Sequence, residues 1–469
     1  MKEPKIVLGT VVEPGFKLFG PKKFELDSAH MATHKFGIGT TGTGKSSLIK
    51  SIVWQMVQQG IALASLDPHG DQVFDLLTLL VHFDYFKDPS VYDKFWYIEF
   101  SDDEDAPAIP FNFLKRPLPP HVIAGNTLEA FHRAFPELAQ GAGNFDTLIL
   151  AGVEVLVRNN LPLPALSALL TDQDVRKGLL QGASPEIVTI FDDWFEKLSK
   201  HDQADTVAST LKRVFMLTQN PALRNCLGQT ENLIDASYLM DQGITVLYNL
   251  KGIRDRTARR YLGSLILLSY EEAALTRPTG VPVRQHHIVI DEAAQFTSRN
   301  PEPLMVMLSE TRKRGLFVTM VQQSWSQSDI RLQGALQNVG CLICMRVGPA
   351  DAQIMSRWLG AGTYDPMLIK DEAPTPNTHP IFFSLPEQVQ AQIDQLVNLP
   401  NRHAIVKLFD RPATLIRAID VPNPEVDPMV LEQIKDEYRK RLMVSSNNIV
   451  LPHLTLKQTY SRHTSRSNP

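Results

Sequence analysis

Residues 39–46 read Gly39-Thr-Thr-Gly-Thr-Gly-Lys-Ser46, and this stretch decides the fold. It follows the strand-like run Lys35–Ile38 and opens an apolar helical pattern over 46–59, which Gly60 stops before a second strand-like run at 61–66. Strand, glycine loop, helix and strand in that order make a parallel βαβ unit. The glycines let backbone N–H groups turn inward around phosphate oxygens, and the start of the helix adds partial positive charge. Lys45 is placed to reach β- and γ-phosphates, and Ser46 to ligate Mg²⁺. Gly39, Thr40, Thr41, Gly42, Thr43, Gly44, Lys45 and Ser46, with the adjoining Ser47, are therefore expected to hold ATP.

Working outward, the next informative stretch is His287-Ile-Val-Ile-Asp-Glu292, an apolar strand ending in two adjacent carboxylates. Asp291 at the strand tip can hold Mg²⁺ directly or through its water, while Glu292 can polarise the water that attacks a γ-phosphate. A metal ligand alone would support binding; the pair implies hydrolysis, unless the strand simply ends in a solvated acidic turn. A further strand, 316–321, follows Glu310-Thr-Arg-Lys-Arg-Gly315 and ends in Gln322-Gln323. Gln323 is the better placed of the two to bond both the γ-phosphate and the attacking water.

The alternation of strands and helices predicts an α/β fold of the P-loop NTPase type, RecA-like with a catalytic glutamate, built on a mainly parallel sheet. A helix pattern at Asp71–His82 is followed by an aromatic run at 95–100, and helix patterns at 257–275, 303–314 and 350–359 separate strands at 244–250, 288–290, 316–321 and 341–347. From about 121 to 235 the period turns wholly helical, between the Pro-containing stretch 101–120 and the return of strands. The expected divisions are 1–116 and 236–422 for the two parts of the ATPase domain, 117–235 for an inserted all-helical module, and 423–469 for a charged helix (430–442) and polar tail, the tail loosely docked or disordered.

Composition excludes several classes. Hydrophobic residues at 43% and charged residues at 21% of 469 positions suit a folded soluble chain rather than a disordered one. A formal charge of −4 gives no blanket basic surface, so nucleic acid would have to meet local clusters such as Lys251-Gly-Ile-Arg-Asp-Arg-Thr-Ala-Arg-Arg260. That run reads either as a grip on phosphates or as a solvated helix start. Three cysteines cannot build a disulfide framework, and Cys341 and Cys344 lie in an apolar run that reads as buried strand, without a second metal-binding pair. The N-terminus is too polar for a secretion signal, and the longest apolar stretch, near 262–268, is far short of a membrane span. A cytoplasmic location, peripheral to the inner membrane through partners, is the expectation.

The phosphate loop, Leu66-Asp-Pro-His-Gly-Asp71, Val289-Ile-Asp-Glu-Ala-Ala294, the Glu310–Gly315 helix end and Val321-Gln-Gln-Ser324 together resemble the HerA/FtsK superfamily of hexameric ATPases. Within it, the chain looks most like the cytoplasmic ATPase domain of TraG/TraD-type coupling proteins of conjugation and type IV secretion. Pro221-Ala-Leu-Arg-Asn-Cys-Leu-Gly228 and Asn338-Val-Gly-Cys-Leu-Ile-Cys-Met-Arg-Val-Gly348 carry that nearer likeness, which runs from about 37 to 422. Only about 35 residues precede the loop, where full coupling proteins have transmembrane helices and HerA-type proteins a β-barrel. The resemblance implies that Asp67 lies near the nucleotide and orders the magnesium shell, with a turn cap as the alternative, while His69 reads as a turn residue. It implies that Arg312 acts as an arginine finger on a neighbouring subunit, with Arg314 and Arg346 as competitors. The implied function is an ATP- and Mg²⁺-dependent hexameric motor acting on DNA, with a secretion channel or nuclease as partner. Two other readings stand beside it: a secretion-assembly ATPase acting on protein, and a nucleotide-gated scaffold with little turnover.

Overall fold

The computed structural model describes residues 3–12, 22–135, 143–297, 301–360, 365–371 and 381–445. In chain order its strands are β1 (Ile6–Val11), β2 (Lys23–Leu26), β3 (Lys35–Ile38), β4 (Leu63–Asp67), β5 (Phe95–Ser101), β6 (Thr245–Gly252), β7 (His286–Ile290), β8 (Leu316–Gln322), β9 (Cys341–Cys344), β10 (Ile369–Asp371), β11 (Ile381–Phe382), β12 (His403–Leu408) and β13 (Arg411–Ala418). The main sheet has the order β2-β1-β13-β12-β9-β3-β8-β7-β4-β6-β5, and β10 and β11 form a separate hairpin. Residues 1–95, 240–247 and 274–426 make one compact unit, and residues 96–239, 248–273 and 427–469 a second.

The first unit carries the parallel centre. β3 runs parallel to both β8 and β9, β8 to β7, and β7 to β4. Every residue of β3, β4, β7, β8 and β9 is buried, as expected for parallel strands covered on both faces. This is why they read as continuous apolar runs rather than alternating ones. The helix after β3, Lys45–Gln58, is stopped as the sequence predicts: Gly60 takes φ 67°, and Gly60 N–H and Ile61 N–H bond back to the Val57 and Met56 carbonyls at 3.1 and 2.9 Å, a Schellman ending.

On one side of this centre lie antiparallel strands that the sequence pattern does not announce. β12 pairs antiparallel with β9, β13 with β12, β1 with β13, and β2 with β1. The short run before the phosphate loop thus holds two strands of the main sheet. They are hard to read because charged residues such as Lys407, Arg411 and Arg417 interrupt the apolar pattern, and the β12–β13 turn at Phe409-Asp410 lacks the Asn-Gly or Asp-Gly signal.

The second unit is helical over most of its length, with helices at Pro120–Ala134, Gly143–Arg158, Lys200–Thr218 and Pro221–Leu227 among others. The range 117–235 lies inside it, and among its described residues the only strand-type pairing is an isolated bridge between Phe111 and Asn232. The unit also takes in the C-terminal helix Pro428–Leu442, whose Lys435 ammonium bonds Glu99 at 3.0 Å. The polar tail expected beyond it lies outside the described residues from 446 onward. Cys226, Cys341 and Cys344 are free and buried, so the strand reading of the latter two holds. No helix among the described residues is long and apolar enough to cross a membrane.

Candidate active site

The sheet order separates the phosphate-loop strand β3 from the carboxylate strand β7 by one strand, β8. Because all three are parallel, the loop after β3, the carboxylates after β7 and the glutamine ending β8 gather at the same edge. Gly44 takes φ 106°, a region that favours glycine, and caps the Lys45–Gln58 helix without a side-chain hydrogen bond. The first N–H groups of a helix have no partner within it, so those at 45–47 have no acceptor in the Lys45–Gln58 helix. Thr40 N–H bonds the Arg346 carbonyl at 2.8 Å, and Arg402 N–H bonds the Thr43 carbonyl at 2.8 Å. These backbone bonds fix the loop from two strand ends, and Arg402 is a neighbour that sequence reading missed; its position follows only from the antiparallel strands.

Lys45 donates to the Thr40 carbonyl at 2.9 Å. Burial lowers its pKa, while Asp291 and Glu292 work to raise it. Asp291 is half-buried, and its carboxyl is pushed up to about 6 by burial first, then by the nearby charges of Asp67 and Glu292. A carboxylate crowded by two others is where a divalent cation relieves repulsion. Among the described residues no group of three or more His, Cys, Asp or Glu makes a protein-only metal cage. Mg²⁺ does not need one, since it keeps several waters and uses one or two protein oxygens with substrate phosphates. Asp291 and the exposed Ser46 hydroxyl fit that demand.

Asp67 is buried, and its carboxylate serves the backbone. Oδ1 accepts from His69 N–H at 2.9 Å, and Oδ2 from Gln72 and Val73 N–H at 2.8 and 3.1 Å. It therefore caps the Asp71–His82 helix and reaches the site through its charge on Asp291.

Glu292 is the most tightly held side chain of the site. It has φ 47°, an uncommon conformation for a glutamate. Its Oε2 accepts from Gln295 Nε2 at 2.8 Å and lies 3.1 Å from His69 Nε2, and its Oε1 accepts from Gln323 Nε2. Gln323 Oε1 in turn accepts from the Thr41 hydroxyl at 3.2 Å. Burial works to raise the Glu292 pKa, but the hydrogen bonds from His69, Gln295 and Gln323 leave it below the ordinary value. Gln322 instead turns into the core, where its Oε1 accepts from Ser328 at 2.9 Å. His69 and Gln295 were not expected here; nothing in their spacing shows that the β4 loop and the β7 turn converge.

The three arginines fall in different places. Arg312 is exposed in the 3-10 turn Arg312–Arg314 that precedes β8, and the strand separates it from the site by about 20 Å at roughly 3.3 Å per residue. Arg314 bonds the Leu275 and Arg277 carbonyls, both at 2.5 Å, and so serves the local backbone. Arg346 follows β9, and its carbonyl also accepts from the Thr40 hydroxyl at 3.1 Å. In the second unit, Arg254 of the basic run pairs with Asp103 at 3.3 Å, and Arg259 bonds the Ile253 carbonyl.

Residues 12–101 match the family model described as helicase HerA, central domain. Comparison with curated proteins gives no sequence match. Among solved structures, the bacterial conjugative coupling protein TrwBdeltaN70 in its unbound form is 16% identical, with 86% of this chain and 89% of that one covered and a TM-score of 0.56. Plasmid coupling protein TrwB in complex with ADP and Mg²⁺ is 18% identical, with 91% and 98% covered and a TM-score of 0.56. VirB4 of Thermoanaerobacter pseudethanolicus is 14% identical, with 89% and 96% covered and a TM-score of 0.51. The fold is that of the P-loop NTPases, with a parallel centre and the carboxylate strand one removed from the phosphate loop. The resemblance to HerA/FtsK-type ATPases drawn from the motifs agrees with the family-model match over residues 12–101 and with the fold shared with the coupling protein and VirB4.

Proposed function

We propose that this chain is an ATP-hydrolysing, Mg²⁺-dependent motor that assembles as an oligomer, a hexamer by analogy, and moves DNA in a conjugation or type IV secretion setting. The observation that carries the hydrolysis reading is the hydrogen-bonded chain from Thr41 of the phosphate loop through Gln323 to Glu292. It couples the nucleotide position to a carboxylate held as a general base, which a binding-only scaffold does not require. Lys45 holds phosphate, Ser46 and Asp291 hold Mg²⁺, and Arg312 acts on a neighbouring subunit. The DNA reading is supported by the likeness to coupling protein TrwB; action on protein is the alternative suggested by the likeness to VirB4.

Lys45→Ala should lose nucleotide affinity, while Glu292→Gln should keep it and hydrolyse ATP at least ~100-fold more slowly, the scale of a lost general base. Normal turnover in Glu292→Gln would remove it from the mechanism. Cargo is decided by measuring hydrolysis with single- and double-stranded DNA over a salt series. Stimulation that falls steeply with salt supports DNA; no stimulation by either at low salt turns the reading to protein.

A further inference from the structure

We infer that His69 is a positioning residue which, with Gln295, pins one oxygen of the Glu292 carboxylate and thereby assigns the other oxygen to accept the proton of the attacking water. This rests on reading Glu292 as the general base. A carboxylate offers about four acceptor positions, two on each oxygen. On Oε2 both are taken, by Gln295 at 2.8 Å and His69 at 3.1 Å. On Oε1, among the described residues, only Gln323 donates, so one position stays open there. That oxygen is on the side that Gln323 ties to Thr41 of the phosphate loop. The base thus has a direction: the proton leaves the water for Oε1, the water oxygen bonds the γ-phosphorus, and the bond from that phosphorus to the β–γ bridging oxygen breaks, with ADP as the leaving group.

The clamp requires the proton of His69 on Nε2, which lies 3.1 Å from Glu292 Oε2 and 2.8 Å from Gln295 Nε2. With the proton on Nδ1, the ring would accept from Gln295 but turn its lone pair on the carboxylate oxygen, which is repulsive. With the proton on Nε2, imidazole and amide both donate to Oε2 and meet each other as two donors, a repulsion between neutral groups that is weaker than one against the carboxylate charge. The clamp has a task, because Glu292 sits at φ 47° and a side chain on so uncommon a backbone needs outside contacts to fix it. His69 can supply one without being needed for folding. Its side chain is 50% exposed, and its loop is anchored through the backbone, His69 N–H to Asp67 Oδ1 at 2.9 Å, which any residue at 69 except proline keeps.

The test is made on the full chain, reading steady-state ATP turnover, affinity for a fluorescent ATP analogue, and thermal melting together. His69→Ala should lower kcat about tenfold with KM for ATP within about twofold and melting unchanged, the signature of a misplaced catalytic group. His69→Gln, whose amide can donate to the same oxygen, should restore kcat to within about threefold of wild type. An unchanged kcat in His69→Ala overturns the assignment, as does a loss that tracks a lower melting temperature and that His69→Gln does not repair. Glu292→Gln separates this from the reading beneath it. Wild-type turnover in Glu292→Gln means the base itself is misassigned; an inactive Glu292→Gln beside a normal His69→Ala means that only the positioning role fails.

Discussion

Asp291 is the residue whose protonation should limit the site on the acid side. Its carboxyl titrates near 6 because burial, Asp67 and Glu292 all disfavour its charge, and only the ionised form binds Mg²⁺ well. Below that pH, proton and cation compete for one carboxylate. Taking pH from 7 to 5 should therefore raise the Mg²⁺ concentration giving half-maximal hydrolysis roughly tenfold, one logarithmic unit for a group titrating between those limits. Glu292 is held below the ordinary carboxylate value, so it stays ionised throughout that range and does not share in the effect. Half-saturation that stays flat from pH 7 to 5 would take Asp291 out of the metal site. Asp67→Asn, by removing the first neighbouring charge, should shift the acid limb to lower pH.

At the level of elements, the parallel register of β3 and β8 decides which arginine can act where. Ile38 lies beside Gln322 and Lys35 beside Thr319, so the start of β8, with Arg312 just before it, points away from its own phosphate loop. Arg312 lines an open groove with Ala32, Glu310, Lys313 and Phe317, whereas Arg314 closes the Leu275 and Arg277 carbonyls. Their alanine variants should therefore differ in kind. Arg312→Ala should melt as wild type and lose ~10³-fold in turnover, the lower range for arginine fingers. Arg314→Ala should lose stability, about 1–3 kcal/mol for two carbonyls without their charged donor. Subunit mixing sharpens the first point: Arg312→Ala with Lys45→Ala should regain partial activity when co-assembled, since some interfaces then hold an intact loop and an intact arginine. Normal hydrolysis by Arg312→Ala as a monomer would end the shared-site model.

Across the molecule, the parallel centre also sets how the protein responds to acid. His34, His286 and His287 are buried in the strand layer. Burial holds His34 near 4 and His286 near 3, and burial with the Lys35 charge holds His287 well below the ordinary value. Each is neutral when folded but takes a proton near 6.5 when unfolded, so stability is lost as pH falls below that value. From pH 7.5 to 5.5 the loss is about 1.4 kcal/mol for each histidine, and Asp291, which gains its proton in the folded state over the same range, returns about 1 kcal/mol. Urea or thermal unfolding should thus show a net loss of about 3 kcal/mol, and His287→Leu should flatten the slope by roughly half. A stability independent of pH across this window would contradict neutral burial of the three rings.

The phosphate loop, the acidic strand tip and the glutamine strand were legible in the chain alone, because each is a local pattern whose meaning depends on a few neighbouring residues. Gly60, continuous apolar strands and helical periodicity likewise announced the βαβ unit and the helical stretch, since capping and burial on both faces leave their mark within a few positions. What the sequence could not decide was which distant segments meet. His69 reaches Glu292 from the loop after β4, Arg314 is spent on a helix end, and Asp67 on the start of another. The four antiparallel strands beside β9 join residues from both ends of the first unit. Side-chain roles of this kind are fixed by strand order and register, which long-range burial and backbone pairing determine; no spacing along the chain records them.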